Sequence, residues 1–259
     1  MLTSRFNAAV QRLRLACFCS LALAGAASAQ GAICTLDAAG TGKVVAVRDG
    51  RTLMLEDGRE VRLAAIEAPD QSRAALLMLA EGRTMRLAKL GATDRDRYGR
   101  LVAFAFVGDA TQSLQQTLIG EGWARVSSRA GGNTCAADLL AAEKAARTVR
   151  RGLWADPNFA PLAAENTVRL RAESGHFALV EGKVLSVRES GATIYVNFGR
   201  RWAESFSVTI PRRLGRSFAA AGMEPKRLEG RRVRVRGWLE QRTGPIIAAD
   251  APEQIEFVD

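Results

Sequence analysis

Histidine is almost absent: His176 is the only one in 259 residues. Metal centres built from several imidazoles are therefore excluded, and His176 is the one imidazole on which a catalytic triad could turn. Long hydrophobic runs are missing too. Once the N-terminus is set aside, no apolar stretch reaches the ~18 residues that a membrane span needs. Lysine is scarce, with five among 37 basic residues and arginine supplying the rest. The formal net charge is nonetheless +10, which favours nucleic acid or anionic surfaces as partners without choosing between them. What is present is ordinary for a chain that buries a core: 47% apolar and 25% charged residues, at a length that suits one or two domains.

The first 29 residues have the order of a secretory signal peptide. Arg5, Arg12 and Arg14 supply a positive region, Leu15 to Leu23 a short apolar run, and Ala27-Ser28-Ala29 a small-x-small cleavage site that would leave Gln30 first. The alternative, an uncleaved anchor, needs a longer run. The expectation is an exported protein, periplasmic or secreted, with no stable membrane insertion after cleavage. Removing three arginines and no acid turns +10 into +7, and it removes Cys17 and Cys19. Cys34 and Cys135 remain. An even pair in an exported chain is a disulfide candidate, and two unrelated buried thiols are the alternative. Closing a loop of about 100 residues contributes up to ~4–5 kcal/mol in the chain-entropy model.

Strand patterning begins at Lys43. Val44, Val45 and Val47 lead into Asp49-Gly50, Leu53 and Leu55 alternate with polar partners, and Asp57-Gly58 precedes Val61, Leu63 and Ile66. Three strands joined by two tight turns form a meander that Pro69 ends. A helical run follows over 72–81, then strands over 83–87 and 101–107, then helices over 113–122 and 134–151. Five strands with a helix after the third, and further helices at the end, is the order of an OB-fold barrel with appended helices. Residues 156–175, with Pro157 and Pro161, read as a linker. Five more strands, near 177–187, 192–198, 205–210, 231–239 and 245–249, with a short helix over 216–222, predict a second small OB-like β-barrel over 176–259. A small barrel of another topology is the alternative. The fold class is thus mainly β (α+β), with a first domain over 30–155.

The motifs come in a recognisable order. Asp49-Gly50-Arg51-Thr52-Leu53 precedes Val61-Arg62-Leu63-Ala64-Ala65-Ile66-Glu67-Ala68-Pro69-Asp70. Asp96-Arg97-Tyr98-Gly99-Arg100 follows, then Gly122-Trp123-Ala124-Arg125-Val126, Ala142-Glu143-Lys144-Ala145-Ala146-Arg147 and Arg151-Gly152-Leu153-Trp154. Over roughly residues 43–154 the chain resembles the thermonuclease (staphylococcal-nuclease-like) family. The resemblance implies phosphodiester hydrolysis of DNA or RNA. Two guanidinium groups would clamp the oxygens of a pentavalent phosphorus, calcium would neutralise charge and orient water, and a carboxylate would act as base.

Carried over by position, Arg62 and Arg100 match the catalytic arginines. Asp70 matches the base or water-positioning acid, where the family usually has Glu. Glu67 matches a metal-binding carboxylate, where the family usually has Asp. Tyr98 is a candidate for stacking on a base or for packing on the barrel. The aromatic pair expected after the Gly-x-Ala-x-Val motif is replaced by Ser127, Ser128, Arg129 and Ala130.

Arg51 departs furthest, since the family places a calcium-binding Asp there. A guanidinium beside a calcium site opposes the ion, because two unit charges 4 Å apart interact by ~4 kcal/mol at an effective dielectric of 20. Three readings follow: hydrolysis is lost and phosphate binding kept; Asp49 helps Glu67 and Asp70 hold a shifted metal; or Arg51 itself neutralises charge. In the second barrel Arg212, Arg213 and Arg216 form one basic cluster. Arg232, Arg234 and Arg236 share one strand face, either as a phosphate-tracking stripe beside Tyr195, Phe198 and Trp202 or as a solvated face. The functional alternatives are an exported nuclease with a degraded calcium site and an inactive module binding nucleic acid or another anionic polymer.

Overall fold

The computed structural model describes residues 34–91, 95–127, 133–201 and 203–258. The expected signal peptide, Ser128, Arg129, Ala130 and Trp202 lie outside the described residues. Among those described, no helix is long and apolar enough to cross a membrane.

The first barrel is built on one long strand, β1 (Asp37–Asp49). Register shifts at Ala38/Gly40, Val44/Ala46 and Val47/Asp49 bend it, so it pairs with one neighbour at each end. β2 (Thr52–Leu55) and β3 (Glu60–Leu63) complete the meander, and α1 (Arg73–Ala80) follows the short β4 (Ile66–Glu67). Then come β5 (Thr84–Lys89) and β6 (Leu101–Val107), and the order β1-β2-β3-β6-β5 closes with β3 and β6 parallel. Val44, Val47, Leu53, Leu55, Val61, Leu63, Met85 and Leu87 point inward and are almost fully buried, as the alternating pattern requires. The expected OB-type barrel is present.

The appended helices are α2 (Leu114–Gly120) and α3 (Asn133–Thr148), with β7 (Arg125–Val126) between them paired to β4. Ser113 caps α2 by accepting from the Gln116 N–H at 3.1 Å. Buried Gln115 binds the β6 backbone at Ala103 and Ala105. Gly122 and Gly152 explain two of the motifs. Both have positive φ, and their backbones touch: a Cβ on Gly122 would lie 2.0 Å from the Arg151 carbonyl oxygen, and one on Gly152 would lie 2.6 Å from that of Gly122. A disulfide joins Cys34, just ahead of β1, to Cys135 in α3 across a separation of 101 residues.

Residues 156–175, expected to be a linker, carry structure. β8 (Leu162–Ala163) runs parallel to the next strand, and α4 (Thr167–Ala172), capped by Asn166, buries Leu170. Segments of two and six residues are too short to show a hydrophobic period. The second set of strands is β9 (Phe177–Lys183), β10 (Ser186–Ser190), β11 (Thr193–Asn197) and β12 (Ser207–Pro211). After α5 (Gly215–Ala220) come β13 (Arg232–Gln241), β14 (Pro245–Ala248) and β15 (Ile255–Phe257). The sheet runs β10-β11-β12-β14-β13-β9-β8, with β15 on β13 and with β12 and β14 parallel. β9 and β10 are consecutive halves of one bent strand, so the order repeats that of the first barrel. Val180, Ile194, Val196, Phe206, Val208, Phe218, Val233 and Val235 fill its core.

From residue 34 onward the described chain is one compact unit. The arginines of β13 explain why. Arg232, Arg234 and Arg236 do share a face, but it is neither a phosphate stripe nor a solvated one. Arg236 is fully buried, pairs with Glu143 of α3 at 2.8 Å and with Glu256 of β15, and donates to the Val126 carbonyl at 3.1 Å. Arg234 pairs with Glu181 and Glu256, and exposed Arg232 lies 4.0 Å from Glu181. α3 and β7 of the first barrel cover part of this face. Arg125 of β7 in turn sits under the rings of Phe159 and Phe177.

Candidate functional site

Alternation on β3 sends Val61 and Leu63 into the core and leaves Arg62 pointing outward. β6 lies beside it in parallel register, Arg62 opposite Val102, so the loop that enters β6 brings Arg100 to the same place. Asp96 fixes that loop. Its Oδ1 accepts from the Tyr98 and Arg100 N–H groups at 2.9 and 3.1 Å, and its Oδ2 accepts from Arg100 Nε at 2.8 Å. Burial by itself raises the Asp96 carboxyl, but these bonds outweigh it and hold the pKa below the ordinary value. Asp96 thus orients Arg100, a role its place in the motif did not reveal.

After β3 the chain reverses through Ala65, which has φ 64°, and its carbonyl accepts from the Ser127 N–H at 2.8 Å. This turn places Glu67 beside the arginines, with its Oε1 3.9 Å from Arg62. Arg51 reaches the same carboxylate from the β1–β2 turn: its Nη1 donates to Glu67 Oε2 and, at 3.1 Å, to the Ile66 carbonyl. The turn can approach because residue 50 is glycine; a Cβ there would lie 2.4 Å from the Pro69 carbonyl oxygen.

Burial raises the Glu67 pKa, and Arg51 and Arg62 oppose that without cancelling it. Arg62 shifts down, first through burial and then through repulsion from Arg51, with Arg100 adding to it and Glu67 opposing. Arg51, Arg62 and Arg100 thus gather around Glu67 and Asp96, while Arg95, Arg97, Glu240 and Asp250 add two charges of each sign to the surrounding walls. An arriving phosphate would relieve the repulsion among the guanidinium groups.

Arg62, Arg100, Glu67 and Asp96 line a cleft of about 750 Å³, and Arg51 touches it only through Glu67. Arg62, Glu67, Arg100 and Tyr98 are brought together there, and Asp70 is not among the lining residues. It lies in a short 3₁₀ turn, exposed to solvent. Tyr98 is 66% exposed, with the Arg97 and Arg100 guanidinium groups 4.7 and 5.2 Å from its ring centre. The opposite wall comes from the second barrel and includes Trp238, Glu240, Asp250 and Gln254. The sequence carries no signal for these, because nothing local to β13 or β14 says which face meets the first barrel.

The acids that sequence position offers to calcium, Asp49, Glu67 and Asp70, are not grouped. Glu67 is engaged by Arg51, Asp70 is outside the cleft, and Asp49 is used inside its own turn. There it accepts from the Arg51 N–H at 2.8 Å and from the Thr52 hydroxyl at 3.0 Å. Among the described residues no three His, Cys, Asp or Glu side chains are grouped to hold a metal ion.

No curated protein matches the chain. A family model, staphylococcal nuclease homologue, matches residues 60–156, the stretch from β3 through α3 that carries Arg62, Glu67, Asp70, Tyr98 and Arg100. Residues 60–156 are therefore similar to the staphylococcal nuclease homologue family, and they contribute three strands to the closed five-stranded barrel that brings Arg62 and Arg100 together.

Proposed function

We propose that this is an exported nuclease homologue that binds nucleic acid through the phosphodiester backbone, with calcium-dependent hydrolysis lost. The observation that carries the reading is the convergence of Arg62 and Arg100 in one cleft beside Glu67, the acid that family resemblance assigns to the metal, which Arg51 engages from behind the lining. Arg62 and Arg100 supply charge-assisted hydrogen bonds to phosphate oxygens, and Asp96 holds Arg100 in position for them. Arg51 supplies positive charge where the family usually has a calcium-binding Asp. It is held by the Ile66 carbonyl as well as by Glu67, so withdrawal into solvent costs two hydrogen bonds. Asp70 is not among the residues lining the cleft, so the base's role is left unfilled there.

The test is hydrolysis of single-stranded DNA and RNA by the mature chain, with calcium and with a chelator, beside Arg51→Asp. Inert wild type that still binds, and a variant that gains calcium-dependent cleavage, is the expected result. Cleavage by wild type that Arg62→Ala abolishes would overturn the loss of turnover and place Arg51 in a working, rearranged site. Export is tested by N-terminal sequencing of protein recovered from the cell envelope or medium, where the first residue should be Gln30.

A further inference from the structure

A second groove, about 940 Å³, crosses the outer face of the second barrel. Its walls are strand residues whose neighbours point inward. On β11, Ile194 and Val196 fill the core while Thr193 and Tyr195 face out, and on β12 Val208 and Ile210 are core while Thr209 faces out; Asn197 and Ser207 form the buried floor, the Ser207 hydroxyl donating to Asn197 Oδ1 at 3.0 Å. Register aligns them across the sheet. Arg188 of β10 is opposite Tyr195, Tyr195 is opposite Thr209, and Thr209 is opposite Ala248 of β14. At about 4.8 Å between strands, this row spans roughly 14 Å.

The row ends at the first cleft. Ala248 and Asp250 line both cavities, so groove and cleft meet at β14 and the residues just after it. Among the described residues Arg188, Arg200 and Arg242 line the groove with Asp250 as the one carboxylate, and Arg242 also lies 3.3 Å from Glu240 outside it. Tyr195 presents an exposed ring at its middle, and the cleft beyond holds two more exposed aromatics, Tyr98 and Trp238.

We infer that this groove is a binding track for single-stranded nucleic acid and that it leads the strand into the arginine cleft; the direction of the track rests on the function proposed above. Bases stack on Tyr195 and then between Tyr98 and Trp238, while Arg188, Arg200 and Arg242 follow the phosphates. The Thr193 and Thr209 hydroxyls supply hydrogen bonds between these points. A base-free polyanion would use the arginines and leave the aromatic row idle. A duplex keeps its bases stacked on one another and offers none to Tyr195.

The experiment is fluorescence anisotropy on the full mature chain with oligothymidylate and oligouridylate of about 12 nucleotides, within the range one such barrel covers. Thymidine monophosphate, inorganic polyphosphate and a duplex serve as comparison ligands. Tyr195→Ala is expected to weaken single-strand binding about tenfold, with Tyr195→Phe close to wild type. Arg188→Glu with Arg200→Glu should weaken it further and flatten its salt dependence, leaving the mononucleotide unaffected. Circular dichroism verifies that each surface variant is folded. Groove variants that bind the single strand like wild type, while Arg62→Ala weakens it, would overturn the track and leave the cleft reading standing. Groove variants that weaken binding while Arg62→Ala does not would support the track and sink the cleft reading. Polyphosphate binding as tight as that of the oligonucleotides, with Tyr195→Ala without effect, would overturn nucleic acid as the occupant.

Discussion

At the scale of single residues, the Arg51–Glu67 pair decides the chemistry of the cleft. Both side chains are mostly buried, so removing one leaves the other without its partner. Arg51→Met should therefore destabilise the protein by roughly 1–3 kcal/mol, and the double variant Arg51→Met/Glu67→Gln should recover part of that. Urea unfolding checks both. A double variant no better than the single one would show that Glu67 is not held by Arg51. Calcium should raise the melting temperature of Arg51→Asp and leave wild type unchanged, because only the variant places a second carboxylate beside Glu67.

The elements depend on a few positions where the backbone leaves no choice. Gly122 and Gly152 combine positive φ with contact between their backbones, so neither can carry a Cβ without moving the helix end. Gly122→Ala should cost at least about 2 kcal/mol, measured by thermal or urea unfolding. Gly58, at φ 83° with open space around it, isolates the conformational part: Gly58→Ala should cost only ~1–2 kcal/mol. Equal costs at the two positions would refute the steric argument. These motif glycines were legible in the sequence, since Asp57-Gly58 is a local turn signal and Gly122 and Gly152 sit in family motifs. That the last two touch each other was not legible, because the contact joins segments about 30 residues apart, beyond the reach of any turn or helix pattern.

For the whole molecule, the Arg236 cluster joins the barrels. A fully buried guanidinium shared by Glu143 and Glu256 is costly to break from one side, so Arg236→Met should destabilise by about 3–5 kcal/mol. Glu256 gives this interface a pH dependence. Burial raises its pKa, but Arg236, with Arg234 and Arg147, outweighs burial and lowers it below the ordinary value. Its folded pKa is thus below its unfolded one. The stability it contributes is present above about pH 4.3 and is lost as pH falls through the folded value. Acid unfolding of wild type and Glu256→Gln should therefore converge at low pH; curves that stay parallel would mean Glu256 does not carry this dependence. The Cys34–Cys135 disulfide acts on the whole chain as well, and Cys135→Ser should cost roughly 2–4 kcal/mol under oxidising conditions and nothing beside reduced wild type.

The sequence by itself determined the two sets of strands, the alternation of Leu53, Leu55, Val61 and Leu63 with polar partners, and the motifs holding Arg62, Glu67 and Arg100. Each of these is written in spacing along a few residues, and a pleat or a tight turn converts spacing directly into direction. Only the tertiary structure decided the rest. Arg234 and Arg236 looked like one more exposed stripe, because alternation shows that side chains share a face and not what lies against it. Asp70 carried the family's position without its place in the cleft. Trp238 and Asp250 reached that cleft from far along the chain, through the packing of β13 and α3 around Arg236 and Glu143. Long-range packing of this kind depends on the sum of many contacts, and no local pattern encodes it.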